Sequence, residues 1–542
     1  MPKLDIQFLW GIESAVHKTS LGGSCQLYTL TYKEQIFQVL VDIGSFVGMD
    51  PKLSPNQLEY IDMTKLKAIV LTHVHNDHVG RLAELVKSMN KQGYNIPIYM
   101  TSLSQKLLTP ILEDTLKIQR SSIEEVRKYN KRLGTRLQRA HSTIRSPKKL
   151  DKITPETLSW YQKLLDKYDI KKNADIAKVL KALPPEPTFS EHDILQTIWQ
   201  TRTQEYGESF DLVPGLWDAT LYNAGHVEWA AQILMRMNWK PYKPEKYRYT
   251  LLNTWDLGRL KEPYLLYPPT RPRQKENIDM TIMEWTYGWR MHANRKDDID
   301  KFVHSIQWAQ DRFVVPAFSL QRFQQLMHLL WKAKKEKKLK LQKNEKIYCV
   351  SPLAYEFVKT FMAEDSEKYA FLADDMFYRV ESKEDQAKVK SEKWRRIVIA
   401  WWWMWQGWSS VRYIQYALQN PNSHIRFTWY QAQGTLGKEL LDKYQTGQKV
   451  RIGEKDFPIR STINQLKSFS SHADESELVG YIDSLDKRAH HHTIITHGWE
   501  QRFDLKQALQ NTIEKGTYTV PELFDTVSID TVSKKIEHKN PS

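Results

Sequence analysis

The chain has 542 residues, enough for two or three domains each with its own core, and its 41% hydrophobic and 26% charged residues are ordinary for a soluble globular protein. Seventy-nine Lys and Arg against 64 Asp and Glu leave a net charge of +15, which points to a polyanionic partner. No segment approaches the roughly 18 apolar residues of a membrane span, no apolar core of signal-peptide length follows Met1, and Cys25 and Cys349 lie far apart, so the expectation is a cytoplasmic protein with buried, reduced thiols and no membrane partner.

Residues from about 5 to 115 alternate short apolar strands with helices, as a layered α/β domain does. The apolar run Ala68-Ile69-Val70-Leu71 reads as a buried strand and leads directly into Thr72-His73-Val74-His75-Asn76-Asp77-His78. His73 and His75, two apart, point the same way where the strand frays, and Asp77 and His78 lie on the turn beyond. Imidazole nitrogen and carboxylate oxygen suit zinc, and a set without thiolates keeps positions open for water.

A basic insertion follows at about 117–187, with eighteen Lys or Arg against eight Asp or Glu. Leu158, Tyr161, Leu164, Leu165 and Tyr168 recur there at helical spacing, so the insertion is predicted to be helical; its charge fits either a solvated face or a nucleic-acid contact surface. The chain resumes near Glu191, and two strands then carry His226 and Asp256. Tyr264 to Lys275 is a proline-rich loop, and Glu284-Trp285-Thr286-Tyr287-Gly288 closes the first part, 1–290. Residues 291–455 read as a second α/β unit. Its strands are Phe313 to Phe318, Ile347 to Val350 and Ile397 to Ala400, with a helix through Arg322 and Leu330. From 456 to 542 the chain returns to the first domain. The triple His490-His491-His492 is expected to be exposed ahead of a strand, and the Lys-rich tail from Ser533 to be frayed.

His-x-His-x-Asp-His at 73–78 resembles the signature of the metallo-β-lactamase fold, and three further segments extend the resemblance. Val39-Leu40-Val41-Asp42-Ile43-Gly44 is similar to the strand whose Asp supports a ligand from behind; Asn223-Ala224-Gly225-His226 to the strand end whose His completes one metal site; and Asn253 to Arg259 to the segment whose Asp, here Asp256, bridges two metals. Glu284 to His292, Ser468-Phe469-Ser470-Ser471-His472-Ala473-Asp474 and Ile494-Ile495-Thr496-His497-Gly498 resemble motifs A, B and C of the β-CASP nucleases. Pro316 to Arg322 and Ser351 to Ala354 also look like β-CASP segments. The resemblance is closest to bacterial and archaeal homologues of the endonuclease subunit of cleavage and polyadenylation specificity factor, and it covers nearly the whole chain apart from the insertion and the tail.

The resemblance implies an αββα metallo-β-lactamase sandwich with an inserted β-CASP domain, and a zinc-dependent nuclease acting on RNA by two-metal hydroxide attack, leaving 5′-phosphate and 3′-hydroxyl ends. It assigns His73, His75 and His226 to one zinc ion, Asp77, His78 and His497 to the other, and Asp256 to both, with manganese as the alternative metal. It makes His472 the acid for the departing ribose oxygen, with Glu284 orienting it and Asp77 assisting. Asp42 supports a ligand from behind, and His292 either does the same or contacts the substrate. Ser470, Ser471 and Arg322 are candidates for holding a phosphate. His497 favours RNA over DNA within this superfamily. Endonuclease and 5′-to-3′ exonuclease modes both stay open, as does a homodimer; the alternative function is a non-catalytic RNA-binding homologue.

Tryptophan stands where this family has glycine or another small residue: at Trp10, Trp229, Trp255, Trp285, Trp289, Trp401, Trp402, Trp403, Trp405, Trp408, Trp429 and Trp499. There are 19 Trp and only 21 Gly, and exchanging about a dozen brings glycine near its usual share of about 7%. Indole can neither relax a positive φ nor let backbone approach a ligand. The expectation is that the gene's source reads UGA as glycine and that the chain as written translates UGA as tryptophan.

Overall fold

The computed structural model describes residues 2–10, 23–45, 57–181, 186–239, 248–261, 265–288, 290–392, 395–401, 409–428, 431, 435–453, 455–466, 468–497, 502–512 and 516–540. Trp289, Trp402, Trp403, Trp405, Trp408, Trp429 and Trp499 lie outside the described residues.

Two large sheets stack face to face. In the first, the strands run in the order Ile536–Lys539, Thr526–Asp530, Lys3–Trp10, Cys25–Tyr32, Gln35–Val41, Leu66–Val70, Ile98–Met100, Thr201–Thr203. The second runs Thr517–Thr519, Lys487–Thr496, Ile278–Glu284, Arg248–Asn253, Ala231–Asn238, Trp217–Asn223, Ser209–Val213. Strand alternation builds the interface: Leu4, Ile6 and Phe8 are buried while Lys3, Asp5 and Gln7 between them are only half-buried. Their side chains meet Ala219, Leu221, Ile233, Met235 and Met280 from the opposing sheet in one core. The outer face of the second sheet is covered by helices Glu475–Asp483 and Arg502–Thr512, whose Leu478, Tyr481, Ile482 and Leu509 pack with Leu234, Leu252 and Ile495. Helix Leu82–Lys91 buries Leu82, Leu85, Val86 and Met89, completing the αββα layering that was expected.

The termini close the sandwich on themselves. Thr526–Asp530 pairs antiparallel with Lys3–Trp10, and Lys487–Thr496 pairs parallel with Ile278–Glu284. A separate sheet, Phe377–Arg379, Ile347–Val350, Arg396–Trp401, Arg312–Ala317, His424–Phe427, Thr462–Gln465, is parallel throughout and sits between these two passes of the chain. Thr462–Gln465 belongs to this parallel sheet because it runs in register with His424–Phe427, so the sheet continues beyond the expected boundary at 455.

Leu112–Gln196 forms a compact unit distinct from the rest of the chain. Helix Pro155–Lys167 starts with Thr154 capping Thr157 N and Pro155 in the first turn, and Tyr161 and Leu165 bury against Leu133, Leu137 and Ala140 of the long helix Ser102–Ile144. The helical spacing of the apolar residues is therefore a real packing face.

Two local expectations are overturned. The tail is ordered over 533–540: Ile536–Lys539 pairs with Thr526–Asp530, Lys534 Nζ reaches Asp279 Oδ1 at 3.3 Å, and His538 Nε2 lies 2.5 Å from Asp525 Oδ2. The histidine triple lies inside a strand, and His491 and His492 are buried. Hydrogen bonds to Thr281, Thr517 and Thr519 satisfy them, while His490 contacts the buried Asp279.

Candidate active site

Five strands aim their C-terminal ends at one place. Leu66–Val70 leads to His73 and His75, Trp217–Asn223 to His226, Arg248–Asn253 to Asp256, Ile278–Glu284 ends on Glu284 itself, and Lys487–Thr496 leads to His497. Glycine permits the crowding there. Gly225 has φ +70, and a Cβ on Gly258 would lie 2.0 Å from the carbonyl of Gly225.

Nε2 of His73 lies 3.0 Å from Nδ1 of His75, which lies 3.4 Å from Nε2 of His226. Asp256 Oδ2 faces His226 Nε2 at 3.5 Å and His73 Nε2 at 3.8 Å, so one donor atom from each of these four residues falls within 4.8 Å of the others. A second group shares the same carboxylate: His78 Nε2 is 3.4 Å from Asp256 Oδ2, and His497 Nε2 is 3.4 Å from Asp256 Oδ1. Asp77 stands outside both groups, although its charge works to raise the pKa of His75 and of His472.

Behind the first row, Asp42 is fully buried with φ +57. Its Oδ2 lies 2.8 Å from His78 Nδ1, and it accepts hydrogen bonds from Thr72 N at 2.9 Å and Thr72 Oγ1 at 2.7 Å. That contact fixes the ring of His78 and turns its Nε2 to Asp256. Opposite, Glu284 is buried and lies 2.8 and 3.0 Å from His472 Nδ1 through its two oxygens. Leu257 N and Thr286 N donate to the same carboxylate, so it cannot turn away. His292 donates through Nε2 to the carbonyl of His472 at 2.9 Å and through its backbone N to Asp474 at 3.0 Å. Asp474 in turn caps helix Glu475–Asp483 with a reciprocal Glu477 box.

Electrostatics follow from burial and the shared carboxylate. Burial pushes His73 and His226 well below the usual histidine range and His75 down to about 4, so these imidazoles present lone pairs. Burial opposes charge on His78 too, but Asp256 and Asp42 outweigh it and raise that group. Asp256 is held well below its ordinary value although burial opposes its ionisation, because His78 and His497 surround it. His472 is raised: burial works against it, and Glu284 prevails.

This donor set fits divalent cations. Five imidazoles, three of them held neutral by burial, and one ionised carboxylate converge without thiolates, and Asp256 Oδ1, His226 Nδ1 and His497 Nδ1 are buried without hydrogen-bond partners. A buried carboxylate oxygen with no donor is costly unless a ligand satisfies it.

The sequence matches the Metallo-beta-lactamase superfamily over residues 37–131, the Beta-Casp domain over 323–440, and the Zn-dependent metallo-hydrolase RNA specificity domain over 456–520. This chain belongs to the β-CASP branch of the metallo-β-lactamase superfamily. Among curated relatives, the β-CASP chain is 22% identical to Ribonuclease TTHA0252 of Thermus thermophilus, covering 86% of this chain and 88% of the relative. It is 24% identical to Transcription termination factor FttA of Methanocaldococcus jannaschii, covering 94% and 70%, and 22% identical to Probable RNase MJ4 of the same organism, covering 89% and 91%.

Of the candidate phosphate ligands, Ser470 is buried and its Oγ accepts from His472 N at 3.1 Å; Ser471 is half-buried beside it. Arg322 is buried, with Nη1 donating to Gln325 and Nε without a partner; burial lowers it to about 10. Sequence reading missed Arg259 and Arg295, whose guanidinium groups donate to the Ser468 carbonyl, Arg295 also reaching that of Ser470. Nothing in their spacing marks them, since each acts on backbone. It also missed Glu228, which joins the sandwich to the parallel-sheet lobe through Lys368 at 2.5 Å and Tyr369. Trp255 is buried at the site, its indole 5.5 Å from the rings of both His78 and His497.

Proposed function

We propose that this β-CASP protein is a zinc-dependent ribonuclease that hydrolyses RNA phosphodiester bonds and leaves 5′-phosphate and 3′-hydroxyl ends. The observation that carries the reading is the His472–Glu284 pair, the half-buried imidazole on the buried carboxylate, beside Asp256 and next to the imidazole cluster. A ring contact of 4.4 Å between His472 and His226 puts this pair against the donor set itself. RNA is the substrate indicated by the relatives named as ribonucleases and by the RNA specificity domain matched at 456–520.

His73, His75 and His226 would hold one cation, His78 and His497 the other, with Asp256 between them and Asp77 at the edge. Bound there, two divalent cations supply Lewis acidity toward the phosphate and lower the pKa of water towards neutrality. Every other task falls to protein groups. Glu284 keeps the proton of Nδ1 engaged, so the remaining proton of His472 sits on Nε2, where a departing ribose oxygen can take it. Burial opposes a proton on His472, but Glu284 outweighs it and raises the group's proton affinity, which favours the loaded acid. Arg322, a buried cation without a carboxylate partner among the described residues, suits a non-bridging phosphate oxygen, and Ser471 can add a neutral donor. Thr72 and Asp42 hold the ligand loop, and Arg259 and Arg295 hold the loop that carries His472.

A His472→Ala protein should retain its metal and lose RNA cleavage. Cleavage at the parental rate, with metal content confirmed, would remove His472 from the chemistry and this reading with it. A second reading, a non-catalytic RNA-binding homologue, is favoured by one observation: the buried indole of Trp255 against His78 and His497. Metal content separates the two, because an indole that blocks the cluster leaves the purified protein without two bound ions.

A further inference from the structure

A second cationic site lies in the parallel-sheet lobe. A cavity of about 510 Å³ is lined by Arg312, Lys383, Lys390, Arg396, Arg412 and Tyr416, and no acidic side chain is among the described residues that line it. Arg312 and Arg396 begin adjacent parallel strands and are register partners, which sets two guanidinium groups side by side. They share one carboxylate, that of Asp311, which also accepts from Asn420 and Ser423. One carboxylate cannot neutralise two guanidinium groups, and Arg396 Nε is buried without a partner. Arg412 donates to a neutral group, Gln386 Oε1, at 3.0 Å. The guanidinium of Arg312 and the ammonium of Lys390 stand 5.7 and 5.9 Å from the ring of Tyr416, which holds both near the cavity.

We propose that this cavity binds phosphates of the RNA chain outside the segment being cleaved. Arg312–Ala317 starts at the cavity and, at about 3.3 Å per residue, runs towards Gln321, whose Oε1 accepts from Glu228 N two residues from His226. A ligand that reaches both places is a polymer carrying many phosphates, which a net-positive cavity attracts without reading sequence. The inference rests on RNA being the substrate.

The test uses the metal-loaded full chain and a Lys383→Ala, Lys390→Ala, Arg412→Ala triple variant, leaving the Asp311 network intact. A long single-stranded RNA and an oligonucleotide too short to leave the metal site are compared for cleavage, and binding of the long RNA is followed against salt. The triple variant should raise KM for the long RNA about tenfold with kcat unchanged, process the short one normally, and lower the salt slope of binding by about 2, from three phosphate contacts. An unchanged KM and slope on an RNA that is still cleaved overturns the second site alone. Failure of the parent chain to bind or cleave either RNA overturns both readings, and competition by polyglutamate as strong as by RNA assigns the cavity to an acidic protein instead.

A different observation carries a second inference. Trp229 has φ +62 and Trp255 φ +40, in the region that L side chains disfavour and glycine accepts. The Trp229 carbonyl accepts from Thr101 Oγ1 at 2.9 Å, so its turn is held, and Nε1 of Trp255 is buried without an acceptor. We infer that the natural polypeptide carries glycine at both positions, its UGA codons being read as glycine. Peptide masses spanning residues 229 and 255 from the native cell, read beside the gene, test this: glycine masses over UGA codons are expected. Tryptophan masses or UGG codons at the two positions overturn it.

Discussion

His472 Nδ1 lies 2.8 Å from Glu284 Oε1, and Glu284 is the last residue of a central strand, pinned by two backbone N–H groups. The carboxylate therefore orients the imidazole through a scaffold that has no freedom to relax. Replacing Glu284 by Gln removes the charge that raises His472 while keeping the volume. We expect kcat on RNA to fall by about 10²–10⁴-fold, the range of a lost general acid, with zinc content unchanged. Loss of zinc in the same variant would show that Glu284 serves the metal cluster instead.

Asp42 acts one layer further back. It touches no converging donor atom except through His78, yet it is fully buried and accepts from Thr72 twice. Asp42→Asn should weaken zinc binding by about 10–100-fold, the usual cost of losing such a carboxylate–histidine contact. Competitive titration with a chromophoric chelator measures it, and unaltered affinity would mean that Thr72 and the backbone hold His78 alone.

The cluster also predicts a metal-dependent stability. Without cations, His73, His75 and His226 face one another over a single carboxylate, and Asp256 Oδ1 lacks a donor. Any ion bound only by the folded state stabilises it by mass action, by about 2.7 kcal/mol at a hundredfold excess over Kd. A chelator should lower the melting temperature and zinc restore it. Equal melting with and without chelator would argue against a site formed by these side chains.

Much of this site was legible because its residues come in short runs. His73, His75, Asp77 and His78 follow a buried strand within six positions, and His226, Asp256, Glu284, His472 and His497 each sit at a strand end or in a recognisable segment. What spacing could not show is contact between distant side chains. Arg259 and Arg295 bind carbonyls of the Ser468–Ser470 loop. Nor could composition show that His491 and His492 are inward-facing, because the threonines that satisfy them lie on two other strands. The tail misled for the same reason: a Lys-rich segment looks solvated until Lys534 is seen against the buried Asp279.

Glu228 makes the contact between the His226 loop and the parallel-sheet lobe, through Lys368 Nζ and Tyr369 OH, and Lys368 also stands 4.4 Å from the ring of Tyr267. Charged hydrogen bonds of this kind contribute about 1.5–3 kcal/mol each. Glu228→Ala should lower the melting temperature and raise KM for RNA more than it lowers kcat. A pure kcat defect would place Glu228 in the chemistry rather than at the junction.

Residue 229 allows a test of backbone geometry that is independent of the gene. At φ +62, alanine carries the steric penalty of its Cβ while glycine does not, so Trp229→Gly should be about 1 kcal/mol more stable than Trp229→Ala. Trp217 supplies the control: it is buried on strand Trp217–Asn223 and its φ is not positive. There the order should reverse, glycine being about 0.5–1 kcal/mol worse than alanine, because a strand interior penalises glycine's extra freedom. Denaturant melts of the four variants decide it, since each pair deletes the same indole and leaves nearly the same cavity, so the difference within a pair reports the backbone alone. Alanine ahead of glycine at both positions would mean that the turn at Trp229 relaxes on substitution and that its left-handed φ is no requirement of the fold.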